Sequence, residues 1–479
     1  MVSDLTAERL RRVAFLGRNP LTLFGAALTS STALTMIGGW LLELLGGGHA
    51  HPYVGILLFL VLPALFVVGL VLMPLGLTLR RRKLAATGSL PSEYPPLGSQ
   101  PAVRQMVQVF LALSAINVAL IATASYRGVS YMDSTQFCGL TCHTVMAPEY
   151  SAYLNSPHSR VACSECHIGE GASWFVRSKL SGTRQLFAVA FKTYSRPIPS
   201  PVRHLRPARE TCEQCHWPQK FHGDKVKVVR KFAEDEANTP STTVLVLKVG
   251  GQRTDGGIGI HGRHLSDKSR ITYVTTDGQR QAISAVTYVG DDGKVAEFAA
   301  EAADPPASAA ASERREMDCV DCHNRPTHVF ELPDRALDRA LQDGRISPSL
   351  PFVKKKGMEL LKADYPDGVT ASARIASGLV EYYKTEQPAM YAEHKALVET
   401  AAQHMAAIYS RNVFPEMKVT WGTHPNNIGH TDSLGCFRCH DEQHKTKDGR
   451  TITQDCAACH TILAMDEANP KVLADLGLE

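Results

Sequence analysis

The cysteines constrain this chain more than any other feature. All 12 fall into six close pairs, and in every pair the second cysteine is followed by histidine. Five pairs read C-x-x-C-H: Cys163 and Cys166 with His167, Cys212 and Cys215 with His216, Cys319 and Cys322 with His323, Cys436 and Cys439 with His440, and Cys456 and Cys459 with His460. The other, Cys138 and Cys142 with His143, carries one extra residue between its thiols. Histidine is 19 of 479 residues, so six such followers by chance have odds on the order of one in 10⁸. Two thiols at this spacing can each bond a haem vinyl group while the adjacent imidazole reaches the iron. Disulfides account for an even cysteine count but not for the histidines. Zinc uses both residue types but does not require histidine directly after each second cysteine. Six covalently bound c-type haems are therefore expected.

A low-spin haem takes a second axial ligand, His or Met. His158 lies five residues before Cys163, and His328 five after His323. His430 precedes Cys436 by six, and His444 follows His440 by four. His261 and His264 share a short Gly-containing stretch. These six are the expected distal candidates. His394 and His404 fall on a predicted helix, where packing is the simpler role. His204, His222 and His424 stay undecided.

The apolar residues crowd into the first quarter of the chain. Leu21–Leu45, Tyr53–Leu79 and Val107–Tyr126 are each near the ~20 residues that cross a bilayer. Arg9, Arg11, Arg12 and Arg18 precede the first stretch, and Arg80, Arg81, Arg82, Lys83 and Arg104 lie between the second and third. Basic loops stay cytoplasmic, so everything after Tyr126 is expected outside, in a bacterial periplasm. The first stretch is too long for a signal-peptide core, and a basic anchor explains Arg11-Arg12 better than a twin-arginine signal. A net charge of +4 is too weak for a dedicated nucleic-acid binder.

The expected fold is mainly α: a three-helix membrane anchor over 1–127, then a periplasmic multihaem domain with sparse regular structure. Within it, 128–225 carries three motifs, and 226–312 reads as a β-rich insertion and linker. Residues 313–425 hold one motif and a helical segment, and 426–479 the last two. Turn signals place strands at Thr242–Val249, Ile271–Thr276, Ala282–Val289 and Lys294–Phe298. Pro388 separates helices near Ser372–Glu386 and Ala392–Ser410.

The stretches Phe137–Met146, Ser156–His167, Trp174–Gln185 and Glu210–Pro218, behind a membrane anchor, resemble the NapC/NirT/NrfH family of quinol dehydrogenases. The longer architecture is similar to the larger inner-membrane members of the ImcH type. The resemblance implies a membrane-bound electron carrier. It would take electrons from menaquinol or ubiquinol and pass them to periplasmic cytochromes or reductases. In short members a Met just after the first motif ligates the haem nearest the membrane, which points to Met146, although the first motif here is one residue longer. His143 and Met146 both stay open as that ligand. A Lys between the second and third motifs serves the family's quinol site, which points to Lys179. Quinol oxidation also needs proton acceptors, for which Glu149, Asp133, His49, His51 and Glu43 are placed by position. A terminal reductase of nitrite or another oxyanion, built on an open-site haem, is the rival reading.

Overall fold

The computed structural model describes residues 2–45, 61–95, 101–132, 134–141, 143–168, 172–202, 205–217, 223–251, 258–301 and 313–478. The chain divides into two units: Met1–Phe137 with Ile168–Ser181, and Cys138–His167 with Gly182–Glu479.

In the first unit α1 (Val2–Leu16) is followed by α2 (Pro20–Leu45), α3 (Leu62–Ala86) and α4 (Pro101–Met132). Asn19 makes the first corner: its amide donates to the Leu16 carbonyl at 2.9 Å, and its Oδ1 accepts from Thr22 N at 2.9 Å, capping α2. Small residues then let α2 and α3 approach. A Cβ on Gly25 would sit 2.9 Å from the Gly69 carbonyl, and one on Gly69 would collide with Thr29 Oγ1. One on Gly76 would collide with Thr22 Oγ1. Close backbones of this kind suit helices packing in lipid, where no hydrophobic force drives them together. Ser30 and Ser31 face Ser114 of α4, with Oγ–Oγ and Oγ–carbonyl distances of 3.0 Å each.

Among the described residues two helical stretches, not the expected three, are long and apolar enough to span a membrane: Pro20–Gly39 and Leu62–Ala86. The expected third, Val107–Tyr126, lies within α4, whose apolar stretch Phe110–Thr123 is shorter. Gln105, Gln108 and Arg127 interrupt the apolar run at either end.

The second unit opens with α5 (His143–Leu154) and α6 (Cys163–His167). α7 (Ala172–Ala190) and α8 (Ala208–Cys212) follow along the chain. Strands β1 (Lys225–Phe232) and β2 (Pro240–Leu247) pair antiparallel, then α9 (Ile260–His264) makes a single turn. β3 (Arg270–Thr275), β4 (Ile283–Val289), β5 (Val295–Ala300) and β6 (Glu313–Glu316) form most of a second sheet. After α10 (Cys319–Cys322) come α11 (Pro333–Gln342), α12 (Val353–Lys362), α13 (Gly368–Glu386) and α14 (Pro388–Asn412). β7 (His444–Lys445), α15 (Cys456–Cys459), β8 (His460–Glu467) and α16 (Val472–Asp475) end the chain. The two sheets run β1-β2-β8 and β6-β3-β4-β5-β7. The expected strands lie within two residues of β2 to β5. β1, β6, β7 and β8 were not anticipated, and β8 closes a sheet with residues more than two hundred positions earlier.

The largest buried apolar cluster lies in α11–α14, a stretch without a haem motif, and includes Leu337, Leu361, Ile375, Leu379, Tyr383 and Met405. Asp367 starts α13 by accepting from Thr370 N at 2.7 Å, four residues before the expected start. Pro388 opens α14 at its first turn, where a missing N–H costs nothing. Inside this unit Lys354 Nζ meets Asp338 Oδ1 at 2.6 Å, both side chains under 10% exposed. Asp338 also accepts from Phe232 N at 3.1 Å. Asn238, at φ +48°, donates to Pro348 and Leu350 carbonyls at 3.0 and 2.8 Å and accepts from Lys354 N at 3.0 Å. The β1–β2 hairpin is thereby tied to the helices.

Candidate haem-ligation sites

Each of the five C-x-x-C-H motifs closes a helical turn across its cysteines. The His216, His323 and His440 amides donate to the carbonyls of Cys212, Cys319 and Cys436 at 2.7, 2.8 and 3.1 Å. The fourth motif is capped reciprocally: Cys319 N donates to Asp318 Oδ1 at 2.6 Å, and Asp318 N to Asp321 Oδ2 at 2.7 Å. In the last, Asp455 Oδ1 accepts from Ala457 N at 3.0 Å. Short-range backbone bonding thus holds both thiols and the imidazole on one rigid turn. The 11 described thiols form no disulfide. Among the described residues no group of three or more His, Cys, Asp or Glu could hold a metal ion by itself.

Successive motifs are neighbours. Cys138 lies within hydrogen-bond reach of Cys163, and Cys212 of Cys319. Cys212 and Cys215 lie close enough to Cys166 to act on it electrostatically, as does Cys436 on both Cys322 and Cys459. The six motifs therefore follow one another in space in chain order. Arg438 locks the fourth to the fifth, donating to the Asp321 carbonyl at 2.5 Å and the Arg280 carbonyl at 2.7 Å. Tyr273 OH bonds Asp321 Oδ1 at 2.6 Å. Arg438 and Asp321 occupy the variable positions of their motifs, which read as spacers in sequence.

Five motif histidines each face a second histidine. Ring centroids are 5.9 Å apart for His216 and His158, 6.2 Å for His167 and His328, and 6.3 Å for His323 and His261. For His440 and His264 the separation is 5.9 Å, and for His460 and His430 it is 6.2 Å. Two metal–nitrogen bonds of about 2.0 Å plus the reach from each nitrogen to its ring centre add to roughly 6 Å. One iron fits between each pair.

The second ring nitrogen agrees. Nδ1 donates to the carbonyl of Pro326 from His158 at 3.3 Å, of Val249 from His261 at 2.7 Å and of Ile260 from His264 at 2.8 Å. His328 donates to the Glu149 carbonyl at 3.0 Å and His440 to that of Thr453 at 2.8 Å. A carbonyl only accepts, so each ring carries its proton on Nδ1 and keeps the Nε2 lone pair for metal. Burial, with the facing imidazole next, pushes His167, His323 and His460 below the ordinary imidazole value. Burial does the same to His264 and His328. The neutral ligand form is favoured.

His444, expected among the distal candidates, is placed otherwise. It is 1% exposed, its Nδ1 lies 2.9 Å from Asp441 Oδ1 and its Nε2 3.1 Å from the Ile283 carbonyl. Neither nitrogen is left for a metal, and the acid three residues upstream was the available signal. His444→Leu is expected to destabilise the β5–β7 edge while leaving every haem spectrum unchanged. If His430 ligates a haem with His460, His430→Leu is expected to turn that one haem high-spin, read by visible and EPR spectra.

Glu149 does not stand free. Arg325 Nη2 lies 3.3 and 3.2 Å from its two carboxylate oxygens, and His328 Nδ1 is 3.2 Å from Oε2. Met146 is half-buried in α5, one turn after His143. His424 is buried against Phe330 at 5.7 Å, and His394 sits at a kink in α14. Cys142, Asp133, His49, His51, His204 and His222 lie outside the described residues, as do the side chains of His143, Lys179 and Glu43.

Membrane helices ahead of tethering cysteine pairs with facing imidazoles define a membrane-anchored c-type cytochrome. The family model for the NapC/NirT cytochrome c family, N-terminal region, matches residues 100–198. Cytochrome c-type protein ImcH of Geobacter sulfurreducens is 40% identical over 466 residues, covering 96% of this chain and 91% of that protein. No solved structure matches. The chain belongs to the NapC/NirT cytochrome c family, in its larger ImcH-like branch.

Proposed function

We propose that this chain is a hexahaem quinol:cytochrome c-type oxidoreductase of the bacterial inner membrane. It takes electrons from menaquinol or ubiquinol and hands them singly to periplasmic cytochromes or reductases. The observation that carries the reading is the set of five facing imidazole pairs strung in motif order. Haem supplies one-electron carriers there, its potential set by axial ligands and surroundings. The chain supplies the tethers, the ligand pairs and, for His158, His261, His264, His328 and His440, the carbonyls that fix the tautomer.

The first motif differs from the others. His143 opens α5, and Met146 follows three residues along the same helix. A less constrained site nearest the membrane suits quinol, with Lys179 and Asp133 as the proton acceptors. The apolar helices Pro20–Gly39 and Leu62–Ala86 would anchor it in the bilayer. A redox titration of the full chain in detergent, with and without a quinol analogue, tests this together with a haemochrome count. Six haems per chain reduced by the quinol are expected. A quinol that reduces none of them, or a second high-spin haem far from the first motif, would sink the reading.

A further inference from the structure

His328 is gripped by two opposite charges. Its Nδ1 faces both the Glu149 carbonyl at 3.0 Å and Glu149 Oε2 at 3.2 Å. Arg325 closes the other side. Its Nε donates to the His328 carbonyl at 2.7 Å, Nη1 to Ser200 Oγ at 3.1 Å, and Nη2 reaches the Glu149 carboxylate. The guanidinium stacks 5.0 Å over Phe330, and the residue is only 6% exposed. These contacts tie three separate stretches together: the helix that starts at the first motif's histidine, the segment of Ser200, and the loop behind the fourth motif, which carries both Arg325 and the ligand facing the second motif.

We propose that Glu149 and Arg325 form a charge-balanced clamp that seats His328 and sets the reduction equilibrium of the iron it shares with His167. The clamp rests on the reading that those two histidines ligate one haem. An anionic acceptor on Nδ1 makes an imidazole a stronger donor, which favours the ferric state. A buried cation beside it opposes that effect, and low local dielectric enlarges both. Glu149 is therefore a positioning residue. Its carboxylate is shared between Arg325 Nη2 and His328 Nδ1, so it holds the ligand through both of them.

Opposite charges make the test selective. The haem-loaded chain in detergent is titrated potentiometrically, read by visible and EPR spectra. Glu149→Gln removes the anion and bares the cation, so one haem is expected to reduce about tenfold more readily, or ~59 mV. Arg325→Gln is expected to move that same haem a similar factor the other way. Glu149→Asp, which keeps the charge, should hold it within about threefold. Loosening alone would shift both neutral variants in one direction, and that result overturns the clamp. So do unmoved potentials with slower quinol reduction, which would make Glu149 a base. His328→Met tells the two levels apart: if no haem spectrum changes, the ligand reading falls and the clamp with it.

Discussion

Gly262→Ala is expected to unseat two of the proposed haem ligands with one methyl group. α9 supplies His261 and His264, which face His323 and His440. Gly262 sits between them, and its turn presses on the end of the β2 segment. A Cβ there would collide with the Gly251 carbonyl and lie 2.7 Å from Ile258 Cγ2. Backbone cannot yield as a flexible side chain does, so the turn must move as a whole. His261 Nδ1 is held 2.7 Å from the Val249 carbonyl in that same segment, so the displacement breaks the bond that orients the ring. Overpacking of this kind costs about 1–3 kcal/mol in stability. The spectroscopic effect is larger than the energetic one, because an axial bond fails over a fraction of an ångström. Two haems in six should lose low-spin character together in EPR and visible spectra, with the other four unchanged. Loss from one haem only, or from none, would show that the two ligands are not set by one turn.

The haem-attachment motifs are local signals: the pair of thiols and the imidazole lie within five or six residues, and in the C-x-x-C-H motifs one helical turn delivers all three. The distal histidines were legible as candidates but not as pairs. His328 follows the fourth motif yet faces the histidine of the second, and His158 precedes the second yet faces that of the third. Proximity in sequence says nothing about which iron a loop reaches. His444 failed for a related reason. It is as close to a motif as His430, and only Asp441 and the Ile283 carbonyl distinguish them. The helices α13 and α14 were readable from Pro388 and apolar spacing, while the cap at Asp367 moved the first start. β1 and β8 hid behind their polarity. Lys225, Lys227, Arg230 and Lys231 dilute the apolar signal of the first, and β8 is a strand only because β2 lies beside it. The third apolar stretch was near the spanning length, but among the described residues only Phe110–Thr123 of α4 forms an apolar helix, too short to span.

Asp338→Leu is expected to cost about 3–5 kcal/mol, the largest stability loss of any single change considered, because it strands Lys354 as an unpaired cation in the helical core. The pair itself is not a net source of stability. Burial, the largest influence, holds the Asp338 carboxyl above the usual carboxylate range even with Lys354 Nζ 2.6 Å away. The attraction therefore does not repay the desolvation. A folded pKa above the unfolded one means the folded state binds the proton more tightly. The contribution of Asp338 is thus fully present below its unfolded pKa and fades as pH rises through its folded pKa. Removing both charges, in Asp338→Leu with Lys354→Met, is expected to recover most of the loss. The Phe232 amide, which donates to Asp338 at 3.1 Å, then loses its acceptor and sets the remaining deficit at about 1–3 kcal/mol. Because the pH-dependent term goes with the carboxylate, that deficit should shrink from acid to neutral pH in denaturant titrations followed by far-UV circular dichroism. A double variant no more stable than the single one, or a deficit that grows with pH, would mean that the ion pair and not the packing around it holds the β1–β2 hairpin to the helices.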